Sequence, residues 1–134
     1  MSEKIANYYK TVDFKRYSSI HIGGEKEVLV INEVGDYPDI QIIGRGNNLL
    51  ISPKCEKKFA ILGEECDYIK DEDNLLYVGC ATSSGKLLTY TRKNDIASLE
   101  FLAKLPGNLG GLVKMNAGLK SWEIFKKREC RFFI

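Results

Sequence analysis

Glycine-bearing segments carry the chemical potential of this sequence. Gly44-Arg45-Gly46-Asn47-Asn48 joins two apolar runs. Paired glycines in so short a loop let successive backbone N–H groups converge into a nest for phosphate oxygens, and Asn47 and Asn48 add amide donors. A tight hairpin turn accounts for the same five residues, and on those residues alone it is the commoner outcome. The loop is not a dinucleotide fingerprint of the Rossmann kind, because Leu49 stands at the sixth position and no helix pattern follows. Gly79-Cys-Ala-Thr-Ser-Ser-Gly85-Lys86 lies between a strand pattern and a helix pattern, as a P-loop does. Its glycines stand one residue too far apart, and Leu87 replaces the hydroxyl that would hold magnesium, so a strand-to-helix turn capped by Thr82 and Ser83 explains it better. Gly107, Gly110, Gly111 and Gly118 punctuate a segment kept apolar by Leu109, Leu112, Val113 and Met115. Flexible linkers are polar, so this combination predicts backbone packed closely against something large and flat.

The elements that must position these segments are mostly short strands. KEVLVIN from Lys26, bounded by Gly23-Gly24 and Gly35-Asp36, predicts a buried strand, and Asp39–Ile43 repeats the pattern. Leu49–Ile51 predicts another, ended by Pro53, so that GRGNN would connect two strands. Phe59–Leu62, Tyr68-Ile69 and Leu75–Val78 complete the strand set, with Gly63 and Asp71–Asn74 as turns. One good helical period runs over Ser84–Lys93 and stops at Asn94-Asp95. Leu99–Leu102 predicts a further turn ended by Pro106-Gly107. The first fifteen or so residues show no sustained period and suggest an extended or loosely helical lead-in.

Composition narrows the function classes. The chain has 134 residues, 44% of them hydrophobic, which fits one modest globular domain. Its net charge of +2 is a tail effect: Lys126, Lys127, Arg128 and Arg131 against Glu129 leave the remainder slightly acidic. A nucleic-acid partner would require a basic face spread over the domain, so none is expected. Cys55, Cys66, Cys80 and Cys130 are too widely spaced for a C-x-x-C pair and suggest four reduced, mostly buried thiols. With His21 as the sole histidine, no metal is expected. The polar N-terminus and the absence of a long apolar run predict a cytoplasmic protein with no membrane partner.

Leu99–Gly118, LEFLAKLPGNLGGLVKMNAG, resembles the signature of the UDP-N-acetylenolpyruvoylglucosamine reductase family. Three further segments match in order: Tyr17-Ser-Ser-Ile-His-Ile-Gly-Gly24, Gly44-Arg-Gly-Asn-Asn-Leu-Leu50, and Val78-Gly79 before the helix. The match runs over about residues 13–125. It implies an α+β fold, an FAD-binding domain of the PCMH or vanillyl-alcohol-oxidase type, here incomplete. Residues 1–53 would form the first FAD-binding subdomain and 54–134 an incomplete second one with an unmatched basic tail at 126–134; the substrate-binding domain would be absent.

By the same resemblance Gly44, Arg45, Gly46, Asn47, Asn48 and Leu49 would cradle the FAD pyrophosphate. Pro106, Gly107, Asn108, Gly110, Gly111, Asn116, Ala117 and Gly118 would line pyrophosphate and isoalloxazine. The implied reaction reduces UDP-N-acetylglucosamine enolpyruvate to UDP-N-acetylmuramate with NADPH as co-substrate, in peptidoglycan synthesis. The full-length protein would be a monomer. The catalytic serine and late glutamate of the family belong to the missing half, so this chain is expected to be inactive alone. Asn47 stands where the family has serine, Glu33–Pro38 is short, and Leu119-Lys-Ser-Trp122 lacks the usual aromatic and glycines. Another oxidoreductase on the same fold, or a non-catalytic nucleotide-binding module, are the alternatives. Leu109–Met115, taken as an apolar strand without its cover, predicts poor solubility or dependence on FAD.

Overall fold

The computed structural model describes residues 3–47, 49–119 and 122–123. Strand β1 (Tyr8–Asp13) leads into the single turn α1 (Phe14–Tyr17) and pairs antiparallel with β2 (Glu25–Ile31). Strands β3 (Ile40–Ile43) and β4 (Lys58–Leu62) complete a sheet of order β1-β2-β4-β3, in which β4 pairs parallel with both β2 and β3. The unbroken apolar run Val28–Ile31 is buried throughout because both faces of this sheet are covered. Val28 and Val30 pack with Phe14, Ile43, Ile51, Phe59 and Ile61, while Leu29 and Ile31 pack with Ala60, Tyr37 and Ile40. Phe14 is fully buried and meets Tyr17 and Phe59 edge to face.

The second part of the chain begins with the hairpin of β5 (Ile69–Glu72) and β6 (Leu75–Val78). Asp73 and Asn74 both take positive φ at its tip, which the two-residue turn requires and which Asp and Asn tolerate. Helix α2 (Ser84–Lys93) follows, and the Ser83 hydroxyl accepts from Lys86 N–H as its N-cap, worth about 1 kcal/mol. Its buried stripe of Leu87, Leu88 and Thr91 has the i, i+1, i+4 spacing of a helix face. A 3-10 turn at Glu100–Lys104 leads to α3 (Leu109–Lys114) and the small pair β7 (Gly118–Leu119) and β8 (Trp122–Glu123). Leu87, Leu102 and Leu112 form the centre of a second apolar cluster with Ile69, Leu76 and Val78.

The fold bears out the α+β class and corrects several local expectations. Leu49–Ile51 is not a strand: the loop before it is held by Tyr17 and Ser19 rather than by a hairpin partner, and Ile51 instead plugs the first cluster. Leu109–Met115 is not a strand either. It is helical from Leu109 to Lys114, with Leu112 buried against Leu87 and Leu102, so this segment has its cover within the chain. The lead-in is β1 and α1. Cys55 and Cys66 are half-buried and Cys80 is exposed, in place of mostly buried thiols, while Cys130 lies outside the described residues. The division at 53/54 would separate β4 from a sheet in which it is a central strand; the packing changes after Leu62.

Candidate functional site

Three turns, each at the end of a strand or the start of a helix, converge on one floor. The first is Gly44–Asn47, which leaves the C-terminal end of β3. Its carbonyls are consumed by the chain itself: the Tyr17 hydroxyl donates to Gly44 O, Ser19 N–H donates to Gly46 O at 3.1 Å, and Ser19 Oγ lies 2.9 Å from Asn47 O. Among the described residues nothing accepts from the N–H groups of Arg45, Gly46 or Asn47. Gly46 has φ +74°, and a Cβ there would come within 3.2 Å of Ser18 Cα, so glycine satisfies both the turn and the close approach.

The second turn, Gly79–Ser83, follows β6, and the third, Pro106–Asn108, opens α3. They are stitched together by Leu109 N–H to Thr82 O at 2.8 Å, Gly110 N–H to Cys80 O at 2.9 Å and Ser84 N–H to Gly107 O at 3.0 Å. Ser83 and Asn108 form an isolated antiparallel bridge. Gly110 sits so close that an added Cβ would be 3.0 Å from Cys80 Cβ. The first turn joins the other two where Asn47 Nδ2 would stand 3.3 Å from a Cβ on Gly107, a residue with φ +131°.

Unpaired polar atoms are concentrated at this floor. Asn108 is 9% exposed and Ser18, beside Gly46, is 1% exposed, and among the described residues neither Asn108 Oδ1 nor Ser18 Oγ has a partner. A buried acceptor or hydroxyl without a partner costs about 1–3 kcal/mol, so two of them beside paired glycine turns fit a ligand that carries both donors and acceptors. The charge is arranged to suit an anion. Arg45 acts electrostatically on both Tyr17 and Asp67. Burial pushes the Tyr17 hydroxyl up, and the Arg45 charge pulls it part of the way back.

Asp67 accepts from Lys86 Nζ at 2.9 Å and from Thr82 Oγ1 at 2.9 Å. Partial burial raises its carboxyl, but those hydrogen bonds and the charges of Lys86 and Arg45 outweigh it and leave it below its ordinary value of 3.8. A lowered carboxyl stabilises the fold above its unfolded value, and that contribution is lost as the pH falls through the folded one. Asp67→Asn is therefore expected to lower the urea midpoint modestly at neutral pH, with the gap to the parent closing below pH 3.8. A gap independent of pH would assign the effect to packing.

The expected site residues are thus only partly gathered. Gly44, Arg45, Gly46, Asn47, Gly107 and Asn108 lie in the first and third turns, with Pro106 leading in and Gly110 and Gly111 in the first turn of α3. Leu49 packs on the first apolar cluster, and Asn48 lies outside the described residues. Asn116, Ala117 and Gly118 lie at the far end of α3, separated from Gly107 by a six-residue helix about 9 Å long. Ala117 N–H closes that end on Leu112 O at 2.8 Å, and Ala117 packs into the second cluster. Tyr17, Ser18, Ser19, Thr82 and Ser83 carry much of the geometry although no site role was expected of them. Their signal was position alone, beside a glycine loop or a helix start. Among the described residues no cluster of His, Cys, Asp and Glu could hold a metal, and no helix is long and apolar enough to cross a membrane.

No protein-family model matches the chain. It is 50% identical over 117 residues to a UDP-N-acetylenolpyruvoylglucosamine reductase of Helicobacter pylori strain J99, covering 85% of this chain and 44% of that protein. The Campylobacter jejuni strain RM1221 reductase is 47% identical over 114 residues, covering 81% and 43%. The solved structure of UDP-N-acetylenolpyruvylglucosamine reductase (MurB) from Thermus caldophilus has a TM-score of 0.73 at 26% identity, over 87% of this chain and 45% of that one. The chain is homologous to these reductases. It spans less than half the length of each of them. The homology bears out the resemblance carried by Leu99–Gly118, and the solved relative extends it from sequence to the arrangement of the strands and helices described above.

Proposed function

We propose that this chain is the FAD-binding part of a UDP-N-acetylenolpyruvoylglucosamine reductase, with a PCMH-type domain whose cofactor lies on the floor of the three turns. The observation that carries the reading is the pair of orphaned buried atoms, Asn108 Oδ1 and Ser18 Oγ, on that floor. The residues present fit the group. The N–H groups of Arg45, Gly46 and Asn47 and the Ser18 hydroxyl can donate to a pyrophosphate, and the Arg45 guanidinium offsets its charge. Asn108 Oδ1 needs a donor, which a ribityl hydroxyl or a flavin ring N–H supplies.

Bound FAD would carry a hydride from NADPH to the enolpyruvyl group of UDP-N-acetylglucosamine enolpyruvate, yielding UDP-N-acetylmuramate for peptidoglycan in the cytoplasm. The chain's own residues bind, neutralise and orient. Gly46 and Gly107 let the backbone approach a ligand closely, and the Thr82–Leu109 and Cys80–Gly110 bonds hold the second and third turns in fixed relation. No residue here is assigned proton transfer to substrate. The complete protein is proposed to act as a monomer.

Titration of the chain with FAD, followed by flavin fluorescence polarisation, should saturate. Asn108→Leu should weaken binding about tenfold or more while leaving the far-ultraviolet spectrum intact, since it removes the polar atom at similar volume. Undiminished affinity in that variant, or no binding by the parent, would overturn the reading. Equal affinity for FAD and ADP would favour a nucleotide-binding module without redox chemistry.

A further inference from the structure

Where α1 meets the loop that follows it, an open-sided hollow of about 640 Å³ is lined by Asp13, Lys15, Arg16 and His21, none of which the cofactor reading uses. Its size is that of a small-molecule site, about 300–1,000 Å³, rather than of a bare ion. The local backbone sets the four side chains. Asp13 Oδ1 accepts Lys15 N–H at 3.0 Å, and Asp13 Oδ2 lies 3.7 Å from Arg16 Nε, so both carboxylate oxygens are engaged. Two cations against that one carboxylate leave the hollow net positive. Among the described residues Lys15 Nζ has no acceptor, and the Arg16 side chain is 91% exposed. His21 takes φ +58°, a left-handed conformation that a residue with a Cβ rarely adopts. It is held there by its N–H, which donates to Ser18 O at 3.2 Å, and by its ring, whose Nδ1 lies 3.1 Å from Lys15 O. A carbonyl only accepts, so the neutral ring carries its proton on Nδ1 and Nε2 is left as an acceptor.

We propose that this hollow binds the phosphoryl group of a small phosphomonoester, with Lys15 and Arg16 set against its charge and His21 Nε2 accepting from its protonated oxygen. Cations alone would take any anion. A ring nitrogen that accepts selects an anion still carrying a proton near neutral pH. A phosphomonoester is such an anion, because its second ionisation falls near about pH 6, whereas sulfate and carboxylates have already lost theirs. With Nε turned to Asp13, the two terminal nitrogens of Arg16 remain for phosphoryl oxygens, and Lys15 adds a mobile point charge. The site is built from side chains, since Asp13 already takes the Lys15 N–H. The rest of the hollow is left for the organic part of the ester.

The test titrates the isotope-labelled full chain at neutral pH and constant ionic strength with glycerol 3-phosphate, inorganic phosphate, sulfate and chloride, following amide and imidazole resonances. Glycerol 3-phosphate should shift Lys15, Arg16 and His21 saturably and bind at least as tightly as inorganic phosphate, with sulfate weaker. Lys15→Met should weaken binding about tenfold, the loss expected for one charge-assisted contact. His21→Asn, which tolerates the same backbone conformation, should remove the preference over sulfate. Asp13→Asn still caps α1 but no longer opposes the anion, so it should bind more tightly. Shifts centred on Arg45 and Gly46, or no larger than those chloride produces, would overturn the proposal. Sulfate binding as tight as that of glycerol 3-phosphate would do the same, as would exclusion of the ester while inorganic phosphate binds. The map on the parent chain decides the question even if a variant fails to fold.

Discussion

Gly79→Val is expected to cost roughly 3 kcal/mol or more of stability, toward the upper end of what over-packing does. A Cβ at this position would fall inside van der Waals contact of the Cys66 carbonyl oxygen, 2.8 Å from Cys66 C and 3.0 Å from Tyr68 Cδ1. Those first neighbours are backbone and cannot rotate away. The Cys66 carbonyl also accepts Ala81 N–H, and Gly79 N–H donates to Tyr68 O, so relief by backbone movement would break the ladder that sets the second turn. The urea midpoint should fall sharply, and FAD affinity with it. Gly85 provides the contrast, since a Cβ there meets nothing within 4 Å and helix α2 gains from alanine. An unchanged midpoint for Gly79→Val would show that the turn can re-form around a side chain.

Phe14→Ala should be of similar severity, about 3–5 kcal/mol, because it empties a fully buried aromatic site. Phe14 meets Tyr17 and Phe59 edge to face, so its loss removes two ring contacts as well as apolar burial. It also loosens Tyr17, whose hydroxyl holds Gly44 O in the first turn. Against a total of about 5–15 kcal/mol for a domain of this kind, such a loss leaves little margin. Phe14→Leu keeps most of the volume and should cost about half as much or less. Saturating FAD should raise the midpoint of the alanine variant if the ligand binds only the folded chain. A midpoint within experimental error of the parent's would place Phe14 outside the load of the core.

How far the sequence disclosed this depended on whether local pattern and tertiary packing agreed. Glu25–Ile31, Ile40–Ile43 and Ser84–Lys93 carry strong apolar periods and clear stops, and each formed close to where its pattern lies. Leu49–Ile51 has a strand composition, but the hydrogen bonds from Tyr17 and Ser19 fix the preceding loop in another path. Helix α3 was concealed by Gly110 and Gly111, poor helix formers that are present because Gly110 must lie against Cys80. The glycines of the candidate site were therefore legible as close approaches, while their partners were not. Ser18 and Asn108 show why: an orphaned atom is defined by what surrounds it, and no short motif records that.

The order β1-β2-β4-β3 sets the sequence of events during synthesis. β1 and β2 can zip as soon as Ile31 is made, but β3 is an orphan when it emerges, because among the described residues its partner in the sheet is β4 alone. β2 also keeps an open edge until β4 arrives. The sheet is thus keyed by a strand inserted between two earlier ones, a non-local closure that folds slowly and leaves unpaired edges waiting. Newborn chains stalled before Leu62 would present Val28–Ile31 and Ile40–Ile43 together as sticky ribbons, which makes that interval the point at which a chaperone has most to protect.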